Sequence, residues 1–156
     1  MRRLVFAAVL LIPAYAHSQT PSSGIHVEQP WARATAPQQT TGAAYVTLTS
    51  HGGDRLLGAS SPASARAEVH ATEMEGDVAR MRELTDGLDL PAGHAVSLAP
   101  GGIHIMLVDL RERLKNGQMI RVQLRFQHAP PLELEVPVGP VGARGPNAHG
   151  AGAHHH

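Results

Sequence analysis

Two histidines and two methionines, His70, Met81, His104 and Met106, are the residues of this chain best placed by type and spacing to do chemistry, and no cysteine accompanies them. Ten residues separate His70 from Met81, twenty-two separate Met81 from His104, and one separates His104 from Met106. Two imidazoles and two thioethers form a soft-to-borderline donor set. Such a set suits copper, and Cu(I) above all, better than zinc, iron or calcium. If the four converge in space, they make a copper site.

Taken singly, each residue has a plainer reading. A lone histidine on a half-exposed strand is usually a surface or hydrogen-bonded group, and a methionine beside isoleucines usually fills a core. The case rests on the joint pattern. Pro100-Gly101-Gly102 reads as a turn, followed by Ile103-His104-Ile105-Met106-Leu107 as a strand. Residues two apart in a strand share a face, so Ile103, Ile105 and Leu107 point to the core while His104 and Met106 project together from the other side. Met81 lies in a strand candidate between two arginines, and His70 ends the run Ala67-Glu68-Val69-His70; both can close the site from neighbouring segments. Met74 is a further donor close after His70, read as a loop residue near the site.

The elements that must position these groups are short strands. Ile120, Val122, Leu124 and Phe126 alternate with polar or long side chains across Met119 to Phe126, the signature of a strand with one buried face. Asn116-Gly117 before it is a tight-turn signal. Leu132, Leu134, Val136 and Val138 alternate likewise, with Pro137 suggesting an edge or terminal position. Ala44 to Thr49, Ala65 to Ala71, Val78 to Leu84 and Ala95 to Leu98 are further strand candidates. No long, capped run at helical spacing occurs, and there is no internal repeat. Many short strands divided by Gly, Pro, Asn and Asp turns predict an all-β, antiparallel sandwich or barrel in a single domain.

The ends read differently. Arg2 and Arg3, the apolar run Leu4 to Pro13 and the small-x-small pattern Ala14-Tyr15-Ala16 predict a signal peptide over residues 1–16, cleaved near Ala16. The apolar run is shorter than the roughly 20 residues a spanning helix needs, so export to the periplasm is expected rather than membrane insertion. Residues 17–24 read as a linker, 25–138 as the folded domain, and 139–156 as a disordered tail rich in Gly, Pro, Ala and His. Lys and Arg number 13 against 13 Asp and Glu, a balance that argues against nucleic acid as a partner. The absence of cysteine removes disulfides, thiol redox chemistry and zinc-thiolate sites. It also removes the mononuclear blue-copper centre, which needs a thiolate beside two histidines.

Several sequence blocks are similar, in order, to those of the PCu(A)C-type periplasmic copper chaperones. They are Trp31-Ala32-Arg33-Ala34, Gly42-Ala43-Ala44-Tyr45, Val69-His70, Met81-Arg82, Leu90-Pro91-Ala92-Gly93 and Pro100 to Leu107. The likeness covers about residues 25–138. It implies a cupredoxin-like antiparallel β-sandwich of Greek-key type that holds one Cu(I) near its surface with His70, Met81, His104 and Met106 as ligands. It further implies delivery of copper to the CuA subunit of cytochrome c oxidase, alongside a thiol-containing copper chaperone. A monomer that is not an enzyme is expected. The chain departs from the family at Asp109, where many relatives carry glycine, and at Ala129-Pro130-Pro131. Neither departure touches the four donors.

The remaining histidines divide into two groups. His26, His51, His94 and His128 lack a His or Met partner at strand spacing and are expected at the surface. His149, His154, His155 and His156 form a candidate secondary Cu(II) cluster in the tail, with a purification-tag remnant as the competing explanation for the last three. Trp31 and Tyr45 are expected in the core. Two other functions stay open: copper buffering without a dedicated recipient, and a copper enzyme using the amine and imidazole of a mature N-terminal His17.

Overall fold

A computed structural model describes residues 24–146. The expected signal peptide, all of the linker but Gly24, and the tail histidines lie outside the described residues. The chain runs through ten strands: β1 (Ile25–Arg33), β2 (Gly42–Ser50), β3 (Asp54–Ser60), β4 (Ser64–Glu75), β5 (Val78–Glu83), β6 (Leu88–Leu90), β7 (Ala95–Leu98), β8 (Ile103–Leu110), β9 (Met119–Phe126) and β10 (Leu132–Gly139). Among the described residues there is no helix, and so none long and apolar enough to cross a membrane.

Alternation makes the strands. In β9 every second residue, Ile120 to Phe126, is buried and every intervening one is exposed, and β10 repeats the pattern through Leu134, Val136 and Val138. Gly117 takes φ 85° in the turn before β9, a conformation open to glycine at little cost. Pro137 sits at the C-terminal end of β10, which lies between β1 and β9 and is not an edge strand.

The strands follow the order β5-β4-β8-β2-β1-β10-β9-β3-β6, and a pairing of β3 with β4 closes the sheet on itself. The result is the expected all-β, cupredoxin-like architecture, with one parallel pair, β1 with β10, among otherwise antiparallel ladders. Leu48, Leu56, Leu90, Ile105, Leu107, Leu114 and Leu124 are fully buried inside it. Replacing any of them by alanine would cost about 2–5 kcal/mol by the usual behaviour of core truncations.

Two expectations change. Trp31 and Tyr45 are buried, but not in this main core. They pair across β1 and β2 with ring centroids 4.5 Å apart and form a separate small cluster with Ala143. The residues flanking them explain the placement: Ala32, Ala44 and Val46 take the inward direction, so Trp31 and Tyr45 cover the outer face. A bulge between Glu28 and Trp31, with Gln29 at φ 48°, sets this direction.

The segment after β10 also differs from the expected disordered tail over its described residues. Residues 140–146 fold back on the body, where Ala143 is 5% exposed and its carbonyl accepts hydrogen bonds from Nε and Nη2 of Arg33 at 2.9 and 2.7 Å. A small apolar side chain and a paired carbonyl suffice to pin a segment whose composition reads as a tail. Residues 147–156 lie outside the described residues.

Candidate metal centre

Strand register brings the four donors to one face. His70 in β4 stands directly opposite His104 in β8, Glu68 opposite Met106, and Thr72 opposite Met81 of β5. Residues directly opposite in a ladder point the same way, as do residues two apart along a strand. Glu68, His70, Thr72, Met81, His104 and Met106 therefore share the outer face. Val69, Ile105 and Leu107, on the other face, belong to the main core. The expected division of β8 holds at Ile105, Leu107, His104 and Met106, while Ile103 at the strand end is only partly buried.

Met81, His104 and Met106 line one cavity of about 480 Å³, together with Arg33, Thr35, Gln39, Tyr45 and Val141 among others. His70 is not among its lining residues, but its ring centroid lies 6.0 Å from that of His104. The donors differ in access. His104 is 6% exposed and Met81 is 61% exposed, so the imidazole lies beneath the surface and the thioether stands above it.

Each histidine is held by one ring nitrogen and leaves the other free. Nε2 of His70 lies 2.9 Å from Oε2 of Glu68. A carboxylate only accepts, so Nε2–H donates and Nδ1 keeps the lone pair of the neutral ring. That Nδ1 is buried and has no hydrogen-bond partner. An unpaired buried acceptor is costly, and a cation supplies what the protein does not. In His104 the roles are reversed. Nδ1–H donates to the carbonyl of Gly102 at 3.1 Å, which leaves Nε2 as the lone-pair nitrogen.

The Gly102 carbonyl also accepts the backbone N–H of Thr72 at 3.2 Å. The turn at Pro100-Gly101-Gly102, with Gly101 at φ 83°, thereby ties the orientation of His104 to β4. Metal-binding histidines characteristically carry such a carboxylate or carbonyl on the second nitrogen.

Burial holds the pKa of His104 below the ordinary histidine value, and the neighbouring His70 adds to this, while the hydrogen bond to Gly102 acts in the opposite sense. The ring is thus kept neutral, the form a metal requires. Among the described residues no group of three or more His, Asp and Glu side chains could hold a metal ion.

The other sequence expectations resolve as follows. His26, His51, His94 and His128 are exposed. Met74 is not in a loop: it lies in β4, opposite Ala79 of β5, and is 65% exposed. Asp109 adopts φ 55°, a backbone that glycine takes freely and that aspartate tolerates better than most residues. Glu68 was not singled out by the sequence reading, although its place two residues before His70 puts it on the same strand face. His149, His154, His155 and His156 lie outside the described residues.

Comparison with known proteins agrees with the fold. The solved copper-bound PCuAC domain from PmoF2 superposes with a TM-score of 0.62 at 26% identity, covering 75% of this chain and 93% of that one. The Cu(I) form of DR1885 from Deinococcus radiodurans gives 0.58 at 27% identity, covering 71% and 75%. A curated protein from Leifsonia xyli subsp. xyli (strain CTCB07), named "Putative lipoprotein Lxx21020", is 34% identical over 147 residues, 88% of this chain and 89% of that one. The family model described as "Putative lipoprotein LpqE-like" matches residues 25–138. The chain belongs to the LpqE-like family and has the fold of the PCuAC domains.

Proposed function

We propose that this protein is an exported copper chaperone that holds one Cu(I) through His70, Met81, His104 and Met106 and releases it, in the periplasm, toward the CuA centre of cytochrome c oxidase. The observation that carries the reading is the shared face: three of the donors line one cavity, and the fourth presents a buried imidazole nitrogen with no partner beside it. The titles of the solved relatives, one copper-bound and one a Cu(I) form, support copper as the cargo. The description of the family and of the curated relative as lipoproteins supports export.

The donor set explains why such a carrier has no cysteine. Thioethers cannot be lost to disulfides, so the ligands survive in an oxidising compartment. Two neutral imidazoles and two thioethers favour Cu(I) over harder ions. Release needs no unfolding, because Met81 is exposed and can leave the ion first, opening it to an incoming ligand. The chain acts here as a carrier that performs no reaction.

Delivery is separated from buffering by a transfer assay. Cu(I)-loaded protein mixed with a reduced CuA domain should yield the CuA spectrum after oxidation, with faster turnover when a thiol-containing copper chaperone is added. Failure of copper to move to the CuA domain, with or without that partner, would favour buffering. An N-terminal copper brace at His17 predicts oxygen-dependent product formation that is lost when the N-terminal amine is blocked.

A further inference from the structure

We propose that Met74 and Met81 form a second, outer thioether site for Cu(I) on the β4–β5 hairpin, through which the ion enters and leaves the four-donor site. The inference rests on the copper-carrier reading above. Its structural basis is the way the hairpin sorts its side chains. β4 continues beyond its last β8 partner, the pair Ala71 with Ile103, and runs on as a two-stranded ribbon with β5.

Both faces of the ribbon meet solvent, yet they are unlike. One carries Val78 opposite Glu75, with Glu73, Arg80 and Arg82, and pairs Arg82 with Glu73 at 2.7 Å and Arg80 with Glu75 at 2.6 Å. The other carries Met74 and Met81 with Thr72 and Ala79, and leads to the pair of His70 with Glu83. Exposed methionines at 65% and 61% are not filling a core.

Met74 stands opposite Ala79 and Met81 opposite Thr72, so the two methionines are diagonal neighbours on one face. Diagonal positions in an antiparallel pair lie within reach of long side chains, and the small Ala79 leaves room over the ladder. Two unbranched thioether chains can therefore meet on one soft cation. Met81 belongs to both sites. An ion held by Met74 and Met81 would move inward by gaining His70, His104 and Met106 while losing Met74, without passing through a naked state. Outward transfer reverses the order. No electron or proton moves in either direction.

The test compares wild type with Met74→Leu, which keeps size and apolar character on an exposed strand. Equilibrium competition with a chromophoric Cu(I) chelator should give the same affinity for both proteins, while stopped-flow transfer of Cu(I) to that chelator should slow severalfold in the variant. Equal transfer rates would overturn the proposal. A second readout uses Ag(I), a redox-inert probe, with methionine 13C-methyl NMR of the wild type. The Met81 and Met106 methyl signals should move with the first equivalent, and the Met74 signal should broaden in the same titration as the ion exchanges between the two positions. A static Met74 beside a moving Met106 overturns this proposal alone. A static Met106 overturns the four-donor reading and the outer site with it.

Discussion

His70 and His104 face one another across β4 and β8 with ring centroids 6.0 Å apart and planes inclined by 42°. Each ring is tethered through the nitrogen opposite in kind to the other's: Nε2 of His70 to the Glu68 carboxylate, Nδ1 of His104 to the Gly102 carbonyl. The two uncommitted nitrogens are thus one Nδ1 and one Nε2. A closed-packed protein has no use for this arrangement, because it leaves a buried lone pair unpaired.

Glu68 is the residue that sets the tautomer of His70. Its replacement by alanine should weaken Cu(I) binding by about 10–100-fold, the usual cost of losing the partner of a metal-binding histidine. The fold should survive, since Glu68 lies on the outer face and outside the main core. Chelator competition and 15N NMR of the His70 ring measure the two effects separately.

The depressed pKa of His104 couples folding to pH. The unfolded chain takes up a proton near the ordinary histidine value of 6.5, whereas the buried ring resists doing so until lower pH. Between those limits the unfolded state binds more protons, so stability rises with pH and falls as the solution is acidified. The copper-free protein should lose thermal stability as pH drops below that value and through the folded pKa of His104. The slope should shrink in His104→Leu. Copper affinity should fall on acidification as well, because a proton competes with the metal for the His104 imidazole but not for the thioethers.

Trp31 and Tyr45 form a wall behind the site. Tyr45 lines the cavity, Trp31 packs against it at a tilt of 34°, and Ala143 closes the cluster. Trp31→Ala should cost about 3–5 kcal/mol of stability, as for other buried aromatic truncations. Cu(I) affinity should change much less, because the donors stand on β4, β5 and β8 rather than on β1. Chemical denaturation and chelator competition on the same samples give both numbers.

The tail histidines His149, His154, His155 and His156 are proposed as a separate Cu(II) site. A chain ending at Pro146 keeps Ala143 on its cluster and removes all four. It should bind one Cu(II) fewer than the full chain and the same single Cu(I). Unchanged Cu(II) stoichiometry would remove the tail site from the account.

What the sequence made legible was whatever depended on local alternation. Met119 to Phe126 matches β9 in full, and the His104/Met106 face of β8 follows from two-residue periodicity alone. β1 escaped the same reading because Gln29 at φ 48° and Pro30 break its period. β6 is three residues long, too short to show any period. Trp31 and Tyr45 were rightly expected to be buried, but hydrophobicity does not say which face of a sheet a side chain covers. The opposition of His70 to His104 and of Thr72 to Met81 is a matter of register between distant segments. Only the family resemblance, and not the spacing, could anticipate it.

The most direct test of the central claim is Cu(I) competition against a chromophoric chelator, using a chain ending at Pro146 and its four single variants at His70, Met81, His104 and Met106. The parent chain should bind one Cu(I), and each variant should bind it more weakly by at least about tenfold, since each removes one of only four donors. If the His104 and Met106 variants compete as well as the parent, the four-donor copper site is contradicted.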